Sequence, residues 1–110
     1  MKNGLYSIHI KWLDGTNGLA TGVIILVDGA VFGGDPFYYY TGSYSCKDGR
    51  IKGEMVNRPH TPGASFFGGR EVGIGFSGTY RDNRAEMSGI SFVGKRSISM
   101  RLTMRKLADA

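Results

Sequence analysis

The residues able to do chemistry are few and scattered. His9, His60 and Cys46 could act as acid–base groups, metal ligands or a nucleophile, yet they lie far apart and share no metal-ligand spacing. His9 sits on the polar face of an alternating segment and reads as an ordinary exposed imidazole. His60 lies in a loop with no nameable acid–base partner, and Cys46 ends a strand and reads as a structural thiol. Gly73-Ile74-Gly75-Phe76-Ser77-Gly78 matches the dinucleotide fingerprint by letter, but that motif needs a following helix to meet the pyrophosphate. Here it lies within a strand pattern and runs into the turn Arg81-Asp82-Asn83-Arg84, so it is discarded. Nothing supplies a nucleophile, a base and a stabiliser together. The expectation is a protein that is not an enzyme, with no catalytic, cofactor or metal residue assigned.

Binding residues are better represented. Phe37, Tyr38, Tyr39, Tyr40 and Tyr44 could stack on bases or line a pocket; their alternation reads as barrel wall. Lys95, Arg96, Arg101, Arg105 and Lys106 form a basic C-terminal region. It could touch nucleic acid, but no aromatic–basic stacking platform accompanies it, and nucleic acid is not the expected partner.

These residues must be positioned by strands. Over 5–13, Tyr6, Ile8, Ile10 and Trp12 alternate with Ser7, His9 and Lys11, the period-two signature of a half-buried strand. Ile98, Met100, Leu102 and Met104 repeat the pattern opposite Ser99, Arg101, Thr103 and Arg105. Between them, strands are predicted at 19–27, 30–33, 38–46, 50–57, 71–80 and 85–93. The joining turns are Asp14-Gly15-Thr16-Asn17-Gly18, Asp28-Gly29, Gly33-Gly34-Asp35-Pro36 and Lys47-Asp48-Gly49. The stretch 58–70 is the longest irregular one, and a short helical turn could lie in 58–68. Tyr40-Thr41-Gly42-Ser43-Tyr44 is echoed by Phe76-Ser77-Gly78-Thr79-Tyr80, and in part by Gly4-Leu5-Tyr6, which suits sequential hairpins of similar shape.

About eight short strands without helical period predict an all-β protein: one small antiparallel up-and-down barrel over 1–110, with little helix. Closure removes the unpaired edges. Such a barrel has room for one small ligand, and Tyr6, Trp12, Tyr40, Phe76 and Tyr80 are the expected interior contacts for an apolar molecule. In Val23-Ile24-Ile25-Leu26-Val27 both faces are apolar, so the face that does not look inward is expected to meet a partner or a second subunit.

Composition agrees. Gly supplies 18 of 110 residues without a collagen-like period, there are three Pro, and 41% of residues are hydrophobic. The formal charge of +5 favours acidic partners. One cysteine cannot form an intrachain disulfide, and the start of the chain has no apolar signal region. No aliphatic run approaches the ~20 residues of a bilayer span. A cytoplasmic protein without membrane insertion is expected.

The ordered set Gly4-Leu5-Tyr6-Ser7-Ile8, Gly33-Gly34-Asp35 and Tyr40-x-Gly42 resembles the GrlR family, negative regulators of type III secretion. The likeness covers roughly the first 57 residues. It implies a lipocalin-like (calycin) barrel that forms homodimers and regulates transcription by sequestering a helix-turn-helix activator. An apolar cavity for a lipid-like molecule is also compatible. The family's best-known member carries an acidic run in the loop after the Tyr-x-Gly strand. Here the matching partner loop is Lys47-Asp48-Gly49-Arg50, with one acid against two bases, so a mechanism through acidic charge does not transfer.

Overall fold

A computed structural model of the chain describes residues 1–13, 19–63, 70–93 and 95–110, without the side chains of 19, 20 and 93. Eight strands follow one another: β1 (Gly4–Trp12), β2 (Leu19–Val27), β3 (Ala30–Gly34), β4 (Tyr38–Lys47), β5 (Arg50–Pro59), β6 (Val72–Arg81), β7 (Arg84–Val93) and β8 (Arg96–Asp109). Each pairs antiparallel with the next, and β8 pairs back onto β1, so the sheet closes into a barrel. The predicted all-β up-and-down barrel is therefore present. Among the described residues no helix is long and apolar enough to cross a membrane, which says nothing about strands.

The period-two pattern decides which side chains fill the centre. Tyr6, Ile8, Ile10 and Trp12 of β1 are buried, as are Ile98, Met100, Leu102 and Met104 of β8. Burial on this scale is the main driving force, about 1.5–3 kcal/mol for each large aliphatic or aromatic side chain. Ile51, Met55, Ile74, Phe76 and Met87 complete the packing from β5, β6 and β7.

Asp28-Gly29 and Asp48-Gly49 turn β2 into β3 and β4 into β5 with both residues at positive φ (49° and 86°; 52° and 80°). This is the type I′ geometry whose twist matches the flanking strands, and Gly enters it without steric penalty. Asp82 opens the β6–β7 turn at φ 54°. These three turns and both termini lie at one end of the barrel; the longer connections lie at the other.

The internal echo has a structural counterpart. Tyr44 N donates to Gly29 O and Tyr80 N donates to Gly49 O, both at 2.9 Å, so each echoed tyrosine ties its strand to the turn of the preceding hairpin. Lys106 N makes the same tie to Asn83 O at 2.8 Å.

Some boundaries differ from expectation. β5 continues through Arg58 and Pro59, because Arg58 pairs with Tyr39 and Pro59 with Tyr38, so the irregular stretch starts at His60. Of the 58–68 stretch considered for a helical turn, 58–59 are strand and 60–63 form no helix, while 64–68 falls outside the described residues. So does the Asp14–Gly18 loop. β8 runs on to Asp109 through an irregularity opposite Leu5 and Tyr6.

Candidate functional site

The barrel interior holds the aromatic residues assigned to it. Tyr6, Trp12, Tyr40 and Phe76 are buried, whereas Tyr80 is only half-buried beside the tight-turn end. Tyr6 Oη donates to Lys2 O at 2.6 Å, which draws the segment before β1 over that end. Met1, Tyr44, Cys46 and Tyr80 pack against the core there, and the Met1 ammonium donates to Cys46 Sγ at 3.4 Å. Cys46 thus has a structural place.

At the opposite end, Asp35 organises the β3–β4 connection. Its Oδ1 accepts from the backbone N–H of Phe37 at 2.9 Å and of Tyr38 at 2.8 Å, and its Oδ2 accepts from the Tyr40 hydroxyl. Burial, reinforced by this carboxylate, raises the Tyr40 phenol above its ordinary value of 10.0. His60 Nε2 lies 2.9 Å from the backbone oxygen of Asp35, and His60 N donates to Phe37 O at 2.8 Å. His60 therefore holds a loop and does not face a carboxylate. Sequence reasoning missed this clamp, although an Asp followed by Pro and an aromatic strand is a turn signal.

Two inward polar atoms, Asn57 Oδ1 and Ser91 Oγ, are buried without a hydrogen-bond partner among the described residues. Asn57 is opposite Tyr40 and Val72, and Ser91 is opposite Ile74 and Ile98.

The five residues assigned to a partner surface on β2 separate. Ile24 and Leu26 are core, each 1% exposed, and are withdrawn from that role. The β1–β2 register, Tyr6 opposite Ile24 and Leu5 opposite Ile25, turns the even positions inward. Val23 (46% exposed) and Ile25 (41%) face outward, while Val27 is half-buried. Ile25 stands between Leu5 of β1 and Phe32 of β3, and Phe32 stands beside Thr41 of β4. With Phe32 (50%) and Tyr39 (41%), these side chains make an apolar face over β2, β3 and β4. Phe32 and Tyr39 extend a surface that the sequence signalled only on β2.

The basic residues also regroup. Arg101 and Arg105 point outward from β8, but Lys106 turns inward, has a side chain only 10% exposed, and pairs with the Asp109 carboxylate. That contact lowers the Asp109 carboxyl below its ordinary range. Arg96 opens β8 at its other end, and Lys95 precedes the strand. Arg105 is instead opposite Arg84, which is opposite Arg81. Lys47 and Arg50 of the partner-loop residues pair at the β4–β5 turn, with exposed Asp48 and the Tyr80-bonded Gly49 between them.

No family model matches the chain, and no curated protein matches it.

Proposed function

We propose that this chain is a non-enzymatic regulatory binding protein that works as a homodimer and captures a protein partner, in the manner of the GrlR-like negative regulators it resembles. The outward apolar face of Val23, Ile25, Phe32 and Tyr39 carries the reading. Large side chains at β-branched and aromatic positions are strongly favoured when a second sheet or subunit covers them. A cytoplasmic regulator that sequesters a helix-turn-helix activator of type III secretion fits this arrangement, and no catalytic step is assigned to it. Sedimentation of the wild type and of Ile25→Asp tests the dimer. A wild-type dimer that dissociates in the variant supports it; a wild-type monomer at ~100 μM removes it.

A second reading is a carrier of a small apolar molecule inside the barrel. The inward aromatic residues Tyr6, Trp12, Tyr40 and Phe76, together with Asn57 Oδ1 and Ser91 Oγ, which have no hydrogen-bond partner among the described residues, favour it. Native mass spectrometry of gently purified protein tests it, and a mass equal to the bare polypeptide would end it.

A further inference from the structure

We propose that Arg81, Arg84 and Arg105 form a carboxylate-binding row that seats an acidic segment of a protein partner. The inference rests on the protein-binding reading above and supplies the chemistry of one contact.

The three residues come from β6, β7 and β8 and occupy one cross-strand row, Arg81 opposite Arg84 and Arg84 opposite Arg105. All three are exposed. Neighbouring strands stand about 4.8 Å apart, so the three arginines project from adjacent backbone positions on one row. Like charges directly opposite destabilise a sheet. Among the described residues none of the three forms an ion pair, although Asp82 and Glu86 are close in sequence. The row borders a recess of about 720 Å³ whose wall includes Thr79, Tyr80, Asn83 and Lys106. A carboxylate placed in it meets planar guanidinium forks, which match its two oxygens with paired N–H donors. The bound anion offsets the repulsion that the free protein bears.

The same recess argues for a protein and against nucleic acid. Asp82 and Glu86 line it, so fixed negative charge beside the arginines confines the recess to one or two anionic groups and opposes the long continuous phosphate track that nucleic-acid binding uses. Single strands also require aromatic platforms. The recess wall holds a single half-buried ring, Tyr80, and the exposed rings among the described residues are Phe32, Tyr39 and Phe92. Phe32 and Tyr39 are on β3 and β4. Phe92 is at the far end of β7, about 26 Å from Arg84 at the usual strand rise.

Isothermal titration with hexaglutamate at low salt tests the site. Wild-type protein is expected to bind, and Arg84→Gln and Arg81→Gln to weaken binding about tenfold each. Arg84→Lys, which keeps the charge and loses the fork, should fall between. Arg101→Gln, two outward rows away beyond Thr103, should change it less than about twofold. No binding, or equal weakening by Arg101→Gln, overturns the proposal. So does tighter binding of inorganic phosphate, or of a single-stranded 20-nucleotide DNA that depends on the same arginines. The two readings fail separately: Ile25→Asp should abolish the dimer and leave hexaglutamate binding intact, while loss of peptide binding leaves sedimentation unchanged.

Discussion

A methyl group on Gly78 would collide with the carbonyl oxygen of Glu86 on the facing strand, and one on Gly42 would collide with that of Glu54. The two glycines occupy equivalent places in the echoed segments, two residues before Tyr44 and Tyr80. Neighbouring backbone comes so close there that only a residue without Cβ fits. Gly75 is different, because a Cβ there meets nothing within 4 Å.

Glycine replacement should therefore separate by position. Gly78→Ala and Gly42→Ala should each destabilise the barrel by about 2 kcal/mol or more, since backbone must shift. Gly75→Ala should be neutral or stabilise by up to about 1 kcal/mol, through better strand propensity and a less flexible unfolded chain. Urea denaturation of the three variants checks the ranking, and an equal loss at all three would contradict it.

Alkaline pH should weaken the fold through Tyr40. The folded phenol is raised above 10.0 by burial and by Asp35, so the folded state holds this proton more tightly than the unfolded chain. The stability linked to the proton is fully present below pH 10.0 and is lost as pH rises beyond it towards the folded value. The urea midpoint should fall steeply above that pH. Tyr40→Phe, which cannot ionise, should flatten the fall while losing about 1 kcal/mol at neutral pH from the missing hydrogen bond. Tyr6 and Tyr44, also raised mainly by burial, should leave a smaller residual slope of the same sign.

Association should respond to the two faces of β2 in opposite ways. Ile25→Asp should leave the monomer folded and abolish dimerisation, because Ile25 is outward and 41% exposed. Ile24→Asp should unfold the protein, because Ile24 is 1% exposed and an unpaired carboxylate cannot be accommodated there. Circular dichroism together with sedimentation distinguishes the outcomes.

The arginine row should have a signature in stability as well as in binding. Removing one cation from three adjacent ones relieves repulsion, so Arg84→Gln should raise Tm by about 1–3 °C at low ionic strength. The gain should vanish near 1 M salt, where the screening length falls to about 3 Å. A gain that persists at high salt would point to a packing change.

Strand count, strand order and the two Asp-Gly turns were legible because apolar residues alternate against polar ones in the first and last strands, and because Asp-Gly pairs suit type I′ turns; Gly33 and Gly34, read as turn, pair within β3 instead. Local chemistry settles those features residue by residue. The inward phase of β2 was not legible, since Val23 to Val27 is apolar at every position and alternation carries no sign there. The hydrogen-bonded register against β1 decides it, placing Ile24 beside Tyr6 and Ile25 beside Leu5. The apolar face and the arginine row are likewise products of register, because Phe32 reaches Ile25, and Arg105 reaches Arg84, only when separate strands align. The backbone pattern along one strand is written in its own residues; which side chains become neighbours across strands is set by closure of the whole barrel.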